Sequence, residues 1–102
     1  MDNVSIQFQK IVTVTNPLGL HMRPANMLSR AAAQFESLIQ IEKDGQAIDG
    51  KSIMGILTLG AQQGTQLHLR AVGPDAQQAI DRIAELFDNG FDEGEPVPSQ
   101  SG

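Results

Sequence analysis

The chain of 102 residues has no cysteine, no tryptophan and no tyrosine. Without cysteine it can build neither a disulfide scaffold nor a zinc–thiolate site, and it has no thiol nucleophile. A reducing, cytoplasmic setting is compatible with that lack and is expected. Phenylalanine, present four times, is the only aromatic. The core therefore has to come mainly from Ile, Leu, Val, Met and Ala. No apolar run of about eighteen residues occurs, so no membrane-spanning helix is expected. The opening MDNVSIQFQK lacks a basic stretch followed by a long apolar one, so no secretion signal is expected either.

Positive charge is also in short supply. The formal net charge is −5, which argues against general nucleic-acid binding, since that requires a basic face. The acids are unevenly placed. None occurs from Asn3 to Phe35, where Lys10, Arg23 and Arg30 lie, whereas Asp88, Asp92, Glu93 and Glu95 crowd the other end. An acid-free segment can handle an anion, and it can also be chance in a short chain. Two histidines and scattered carboxylates show no ligand spacing, so no metal and no cofactor are expected.

What is present fits one small domain with a modest core, 40% of the residues being apolar. QKIVTVT reads as a strand with Val12 and Val14 on one face. From Met22 to Phe35 a helix is expected, with Ala25, Leu28, Ala31, Ala32 and Phe35 as its buried stripe. LIQIEKDGQAID reads as a hairpin turning at Asp44-Gly45. KSIMGILTLG reads as a short helix capped by Ser52 and ended near Gly60. TQLHLRAV alternates as a strand, with His68 facing solvent. Gly73-Pro74 turns the chain, and Asp75 is expected to cap a last helix through about Asp88. Residues 1–9 read as an N-terminal extension, 10–90 as the domain and 91–102 as an acidic, disordered tail. The order β-α-β-β-α-β-α implies an α+β, two-layer sandwich: a mostly antiparallel four-stranded sheet with three helices on one face.

The segment TNPLGLHMRPANML places His21 at the entrance of the first helix. Backbone N–H groups in a first helical turn lack internal partners, and the helix dipole adds partial positive charge there, so the position suits an anion. Pro24 tolerates that turn, and Gly19 allows a close chain approach. The same location disfavours a second positive charge and so favours neutral imidazole, a competent nucleophile near neutral pH. A phosphoryl group on the ring would face the N–H groups of Met22 and Arg23, and the Arg23 guanidinium can pair with its oxygens. The alternative, and the commoner case for a lone histidine at a helix start, is a surface residue that simply caps the helix; Arg23, Pro24 and the surrounding lack of acids count against it. No second acid–base group accompanies His21 in the sequence, which argues against a self-sufficient catalyst.

Ser52 is open to two readings, an ordinary cap or a phosphorylation site whose added charge repels an acidic partner. Ile53, Met54, Ile56, Leu57 and Leu59 crowd apolar side chains into one short helix. If Ile56 and Leu59 point inward, then Ile53, Met54 and Leu57 form an exposed docking patch, extended by Met22 and Met27. The alternative is that most of these residues are core.

LGLHMRPA resembles the active-centre motif of the histidine-containing phosphocarriers of the phosphotransferase system, the HPr family. KSIMGILTLG resembles that family's segment around its regulatory serine, and the spacing and element order fit. The resemblance implies an HPr-like open-faced sandwich and a phosphoryl group carried on Nδ1 of His21. It places the active-centre arginine at Arg23 and the regulatory serine at Ser52. Leu18, where many sugar-branch members have a small polar residue, and the ending IAELFDNGFDEGE are similar to the nitrogen-branch carrier, NPr. The partners implied are an Enzyme I-type phosphotransferase using phosphoenolpyruvate, an Enzyme IIA-type acceptor and an HPr kinase/phosphorylase, with the carrier itself a monomer. A competing reading is a regulatory binding module that acts on a transcription factor or sensor through phospho-Ser52 and the apolar patch.

Overall fold

Alternation fixes which side of each strand is buried. In the computed structural model, which describes residues 7–93, β1 is Gln7–Thr13, β2 Leu38–Lys43, β3 Gln46–Asp49 and β4 Gln66–Val72. Leu67, Leu69 and Ala71 of β4, Ile39 and Ile41 of β2 and Val12 of β1 all lie on the buried face. Their neighbours Ile11, Leu38 and His68 lie on the other, which no helix among the described residues covers. The strand order is β1-β4-β2-β3, and every pair is antiparallel.

Helices α1 (Met22–Ala32), α2 (Ile53–Thr58) and α3 (Ala76–Asp88) close the second layer. The α1 stripe is Ala25, Leu28, Ala31 and Ala32, and that of α3 is Ala76, Ala79, Ile80, Ile83 and Phe87, all buried. The alanines let the helices sit close to the sheet, and each large side chain taken from water contributes roughly 1.5–3 kcal/mol. The α+β open-faced sandwich is thus as the sequence predicts.

Three expectations change. First, α1 ends at Ala32, and Phe35 is only half-buried in the turn beyond it. Second, Asp75 stands before α3 but its side chain makes no cap. Its carboxylate instead accepts from the backbone N–H groups of Glu36 and Ser37, both at 2.9 Å, and from the Ser37 hydroxyl. The Ser37 hydroxyl and the Glu36 N–H hold this carboxyl below its usual range. Gly73 permits the clamp: it has φ +146°, and a Cβ there would lie 2.8 Å from the Ser37 Cα.

Third, the domain extends past both expected boundaries. β1 begins at Gln7, inside the supposed extension. After α3 a 3-10 turn, Gly90–Asp92, leads to Glu93, and Phe91 is fully buried. Residues 91–93, assigned to a disordered tail, are therefore built into the fold. The rest of that tail, 94–102, lies outside the described residues.

Candidate functional site

The chain from Val14 to Leu20 delivers His21 to α1. Val14 is buried and Gly64 donates its N–H to the Val14 carbonyl at 2.8 Å. Asn16, also buried, donates Nδ2 to the Gly19 carbonyl at 2.8 Å, closing the turn. Gly19 has φ +70°, and a Cβ would stand 2.5 Å from the Ala61 carbonyl oxygen. Only glycine meets both demands. Leu20 N–H then donates to that same Ala61 oxygen at 2.9 Å.

His21 is the N-cap residue of α1, in extended conformation (φ −82°, ψ −168°), and its ring makes no capping bond. Helical bonding starts with Ala25 N–H to the His21 carbonyl at 3.0 Å. The N–H groups of Met22 and Arg23 precede that bond and have no partner among the described residues, and Pro24 has no N–H to offer. Two donors and the positive end of an eleven-residue helix thus lie beside the ring.

The side chains add what the sequence did not show. His21 Nε2 lies 2.8 Å from Glu93 Oε2, and the ring is 36% exposed. Arg23 Nη1 donates to the Phe91 carbonyl at 2.9 Å and lies 3.3 Å from Glu93 Oε2. Asn16 spends its second amide hydrogen on Glu93 Oε1 at 2.9 Å. Burial works to raise the Glu93 pKa. Hydrogen bonds from Asn16 and His21, the charge on His21 and a bond from Arg23 outweigh it and hold the carboxyl below its usual range. An acid therefore does accompany His21, contrary to the expectation from the surrounding sequence.

Glu93 reaches the ring because the chain reverses after α3. Gly90 (φ +58°) ends the helix, and Phe91 and Asp92 continue with φ +55° and +61°, a conformation uncommon for non-glycine residues. Phe91 packs edge-on against Phe87, ring centroids 5.0 Å apart. Glu93 N–H bonds back to the Gly90 carbonyl at 2.9 Å. A glycine just past a helix followed by an apolar residue is a termination signature, and it was the one available sign that NGFDE would fold back.

Ser52 is the N-cap of α2, and its hydroxyl accepts from Gly55 N–H at 3.0 Å. Lys51 beside it donates Nζ to the Phe35 carbonyl past the end of α1 at 2.7 Å. In α2, Ile56 and, just after it, Leu59 are buried; Ile53 and Leu57 are half-buried, and Met54 is 70% exposed. On α1, Met22 is exposed, and the half-buried Met27 lines a groove toward α3 with Arg82 and Leu86. Leu18, just ahead of His21 in the chain, is 74% exposed. His68 lies on the uncovered face of the sheet, bonded to Gln9 at 2.7 Å, and takes no part in the site. No group of three or more potential metal ligands occurs among the described residues, and no helix among them is long and apolar enough to cross a membrane.

Known proteins are similar to this chain in sequence and in fold. The family described as the PTS HPr component phosphorylation site matches residues 8–89. A phosphocarrier protein HPr of Cupriavidus necator is 40% identical over 87 residues, covering 85% of this chain and 98% of that protein. One from Treponema pallidum is 40% identical over 84 residues, covering 82% and 96%. Among solved structures, an HPr from Thermoanaerobacter tengcongensis superposes with a TM-score of 0.81 at 37% identity, covering 88% of this chain and 99% of that one. An HPr from Bacillus anthracis gives 0.77 at 37% identity, covering 79% and 96%. With nearly the whole domain matched in both sequence and fold, the chain belongs to the HPr family, the phosphocarriers of the phosphotransferase system.

Proposed function

We propose that the chain accepts a phosphoryl group on Nδ1 of His21 from an Enzyme I-type phosphotransferase charged by phosphoenolpyruvate, and passes it to an Enzyme IIA-type acceptor. One observation carries this reading: the ring stands one-third exposed at the N-cap of α1, with Nε2 engaged by Glu93 and Nδ1 without a hydrogen bond among the described residues. The backbone N–H groups of Met22 and Arg23 and the Arg23 guanidinium are the groups that would hold the phosphoryl oxygens. Half of the Arg23 side chain is exposed, so it can turn from Glu93 to a phosphoryl group. Met22, Met27, Ile53, Met54 and Leu57 would form the surface on which both partners dock, one after the other.

The test is incubation with an Enzyme I-type transferase and labelled phosphoenolpyruvate. Acid-labile label on the wild-type protein and none on His21→Ala is expected; label retained by His21→Ala would remove His21 from the role.

A second modification is proposed at Ser52, by an HPr kinase/phosphorylase-type enzyme. Its supporting observation is the position of the half-exposed Ser52 at the N-cap of α2, two residues before the exposed Met54. Phosphate there would place about −1.5 to −2 charges beside the docking surface. Serine phosphate formed by such a kinase with ATP is the expected product, and its absence would leave Ser52 a helix cap.

A further inference from the structure

We infer that Glu93 is a positioning residue for the phosphoryl transfer: it holds the neutral His21 ring in the form protonated at Nε2, leaves the Nδ1 lone pair free, and balances the ring charge as Nδ1 is phosphorylated. The second half of this rests on the carrier reading above; the first half does not.

The proton can be placed from the bonding pattern. Glu93 accepts from Asn16 Nδ2 on one oxygen and from Arg23 Nη1 on the other. The Asn16 amide cannot be turned around, because its nitrogen also serves the Gly19 carbonyl, which only accepts. Two donors on one carboxyl group, together with the buried amide that fixes one of them, favour the ionised form. An ionised carboxylate is an acceptor only. The contact of 2.8 Å between His21 Nε2 and Glu93 Oε2 therefore needs its hydrogen from the ring. A ring protonated only at Nδ1 would instead turn its Nε2 lone pair on the carboxylate, and Nδ1 would have no lone pair with which to attack.

The chemistry follows. The Nδ1 lone pair attacks phosphorus, and the Nδ1–P bond forms as the bond from phosphorus to the donor breaks. The electron pair of that bond leaves with the donor. Nδ1 has no proton to lose, and Nε2 keeps its own throughout, so the ring gains positive charge. Glu93 faces the N–H through which that charge is felt, as the buried carboxylate of a hydrolase triad faces its histidine. When the group moves on, the charge is lost and Nδ1 regains its lone pair, again with no proton moved.

The geometry that supplies Glu93 is built for it. Its side chain is 17% exposed. Phe91, buried against Phe87, anchors the reversal, and Arg23 ties the Phe91 carbonyl to α1. Asn16, by contrast, is a buried amide whose Oδ1 finds no partner among the described residues. Its orientation is set by its two acceptors, at the cost of that oxygen.

Nitrogen-15 NMR of the full chain, at a pH where the ring is neutral, reads the two ring nitrogens directly. The wild-type protein should show a protonated Nε2 and a lone-pair Nδ1. In Glu93→Ala the two neutral forms should mix, and uptake of label from the Enzyme I-type transferase should slow by about tenfold or more. In Glu93→Gln the amide oxygen can still accept from Nε2, so the ring form should be largely kept while uptake stays slowed for want of the charge. A protonated Nδ1 in the wild-type protein would overturn the inference. So would a Glu93→Ala ring indistinguishable from wild type, with or without slower uptake. If the wild-type protein takes up no label at all, the carrier reading fails while the ring spectra still decide the role of Glu93.

Discussion

Asn16 and Glu93 stand 77 positions apart in the chain, and the amide of the first donates to the carboxylate of the second at 2.9 Å. The same amide closes the turn before His21. The loop that presents the ring and the carboxylate that meets it are therefore held by one buried side chain. Neither β1 nor α1 alone would fix the ring in this way.

Replacing Arg23 by alanine tests the phosphoryl-binding role. The side chain is 52% exposed, and among the described residues its hydrogen-bond partners are the Phe91 carbonyl and Glu93. Its loss should cost no more than about 1 kcal/mol of stability, while uptake of label at His21 should slow by about tenfold or more. A large fall in melting temperature with transfer unchanged would reverse that assignment.

Gly19→Ala should cost more stability than Arg23→Ala. The new Cβ meets the Ala61 carbonyl oxygen at 2.5 Å in a left-handed conformation. Strain of that kind is worth about 1–3 kcal/mol, and relief would come by moving the chain just ahead of His21. A denaturant melt and a labelling assay on the same variant should both show a loss. A variant as stable and as active as wild type would mean that the turn has room to spare.

Acid should weaken the fold through Glu93. Its carboxyl titrates below the ordinary value. Ionisation therefore contributes stability that is present above the unfolded-state pKa, about 4.3, and lost as pH falls through the lower folded value. Asp75 is shifted in the same direction and adds to the same limb. Denaturant midpoints measured from neutral pH to about pH 3 should fall less steeply in Glu93→Gln than in wild type. Two parallel curves would show that the carboxylate gains nothing from its neighbours.

Ser52→Ala removes the hydroxyl that accepts from Gly55 N–H, and loss of such a cap costs about 1 kcal/mol. Labelling of His21 should be unaffected, since none of the groups around the ring comes from α2. A melt and a labelling assay on this variant would separate the cap from any role at the ring.

Much of the fold was legible because it depends on local periodicity. Leu67, Leu69 and Ala71 alternate, and Ala25, Leu28 and Ala32 recur at helical spacing, so their buried faces follow from the chain itself. The helix entrance at His21 was legible for the same reason. Asp75 was misread because a capping preference is a local rule, and this carboxylate is claimed by residues 38 and 39 positions back. Glu93 lay further still from any local rule. Its approach to His21 spans 72 positions and depends on two non-glycine residues with positive φ, which no pattern of apolar spacing announces.

The seat of Phe91 has a consequence of its own. The turn after α3 is a short segment tethered by one aromatic ring and a few hydrogen bonds, while the sheet is tied by three ladders. Segments so unequal open at different free energies. The population of molecules with a correctly set ring is therefore governed by a local opening equilibrium and not by global unfolding. Modest denaturant or warmth would lower that population while the sheet stayed whole.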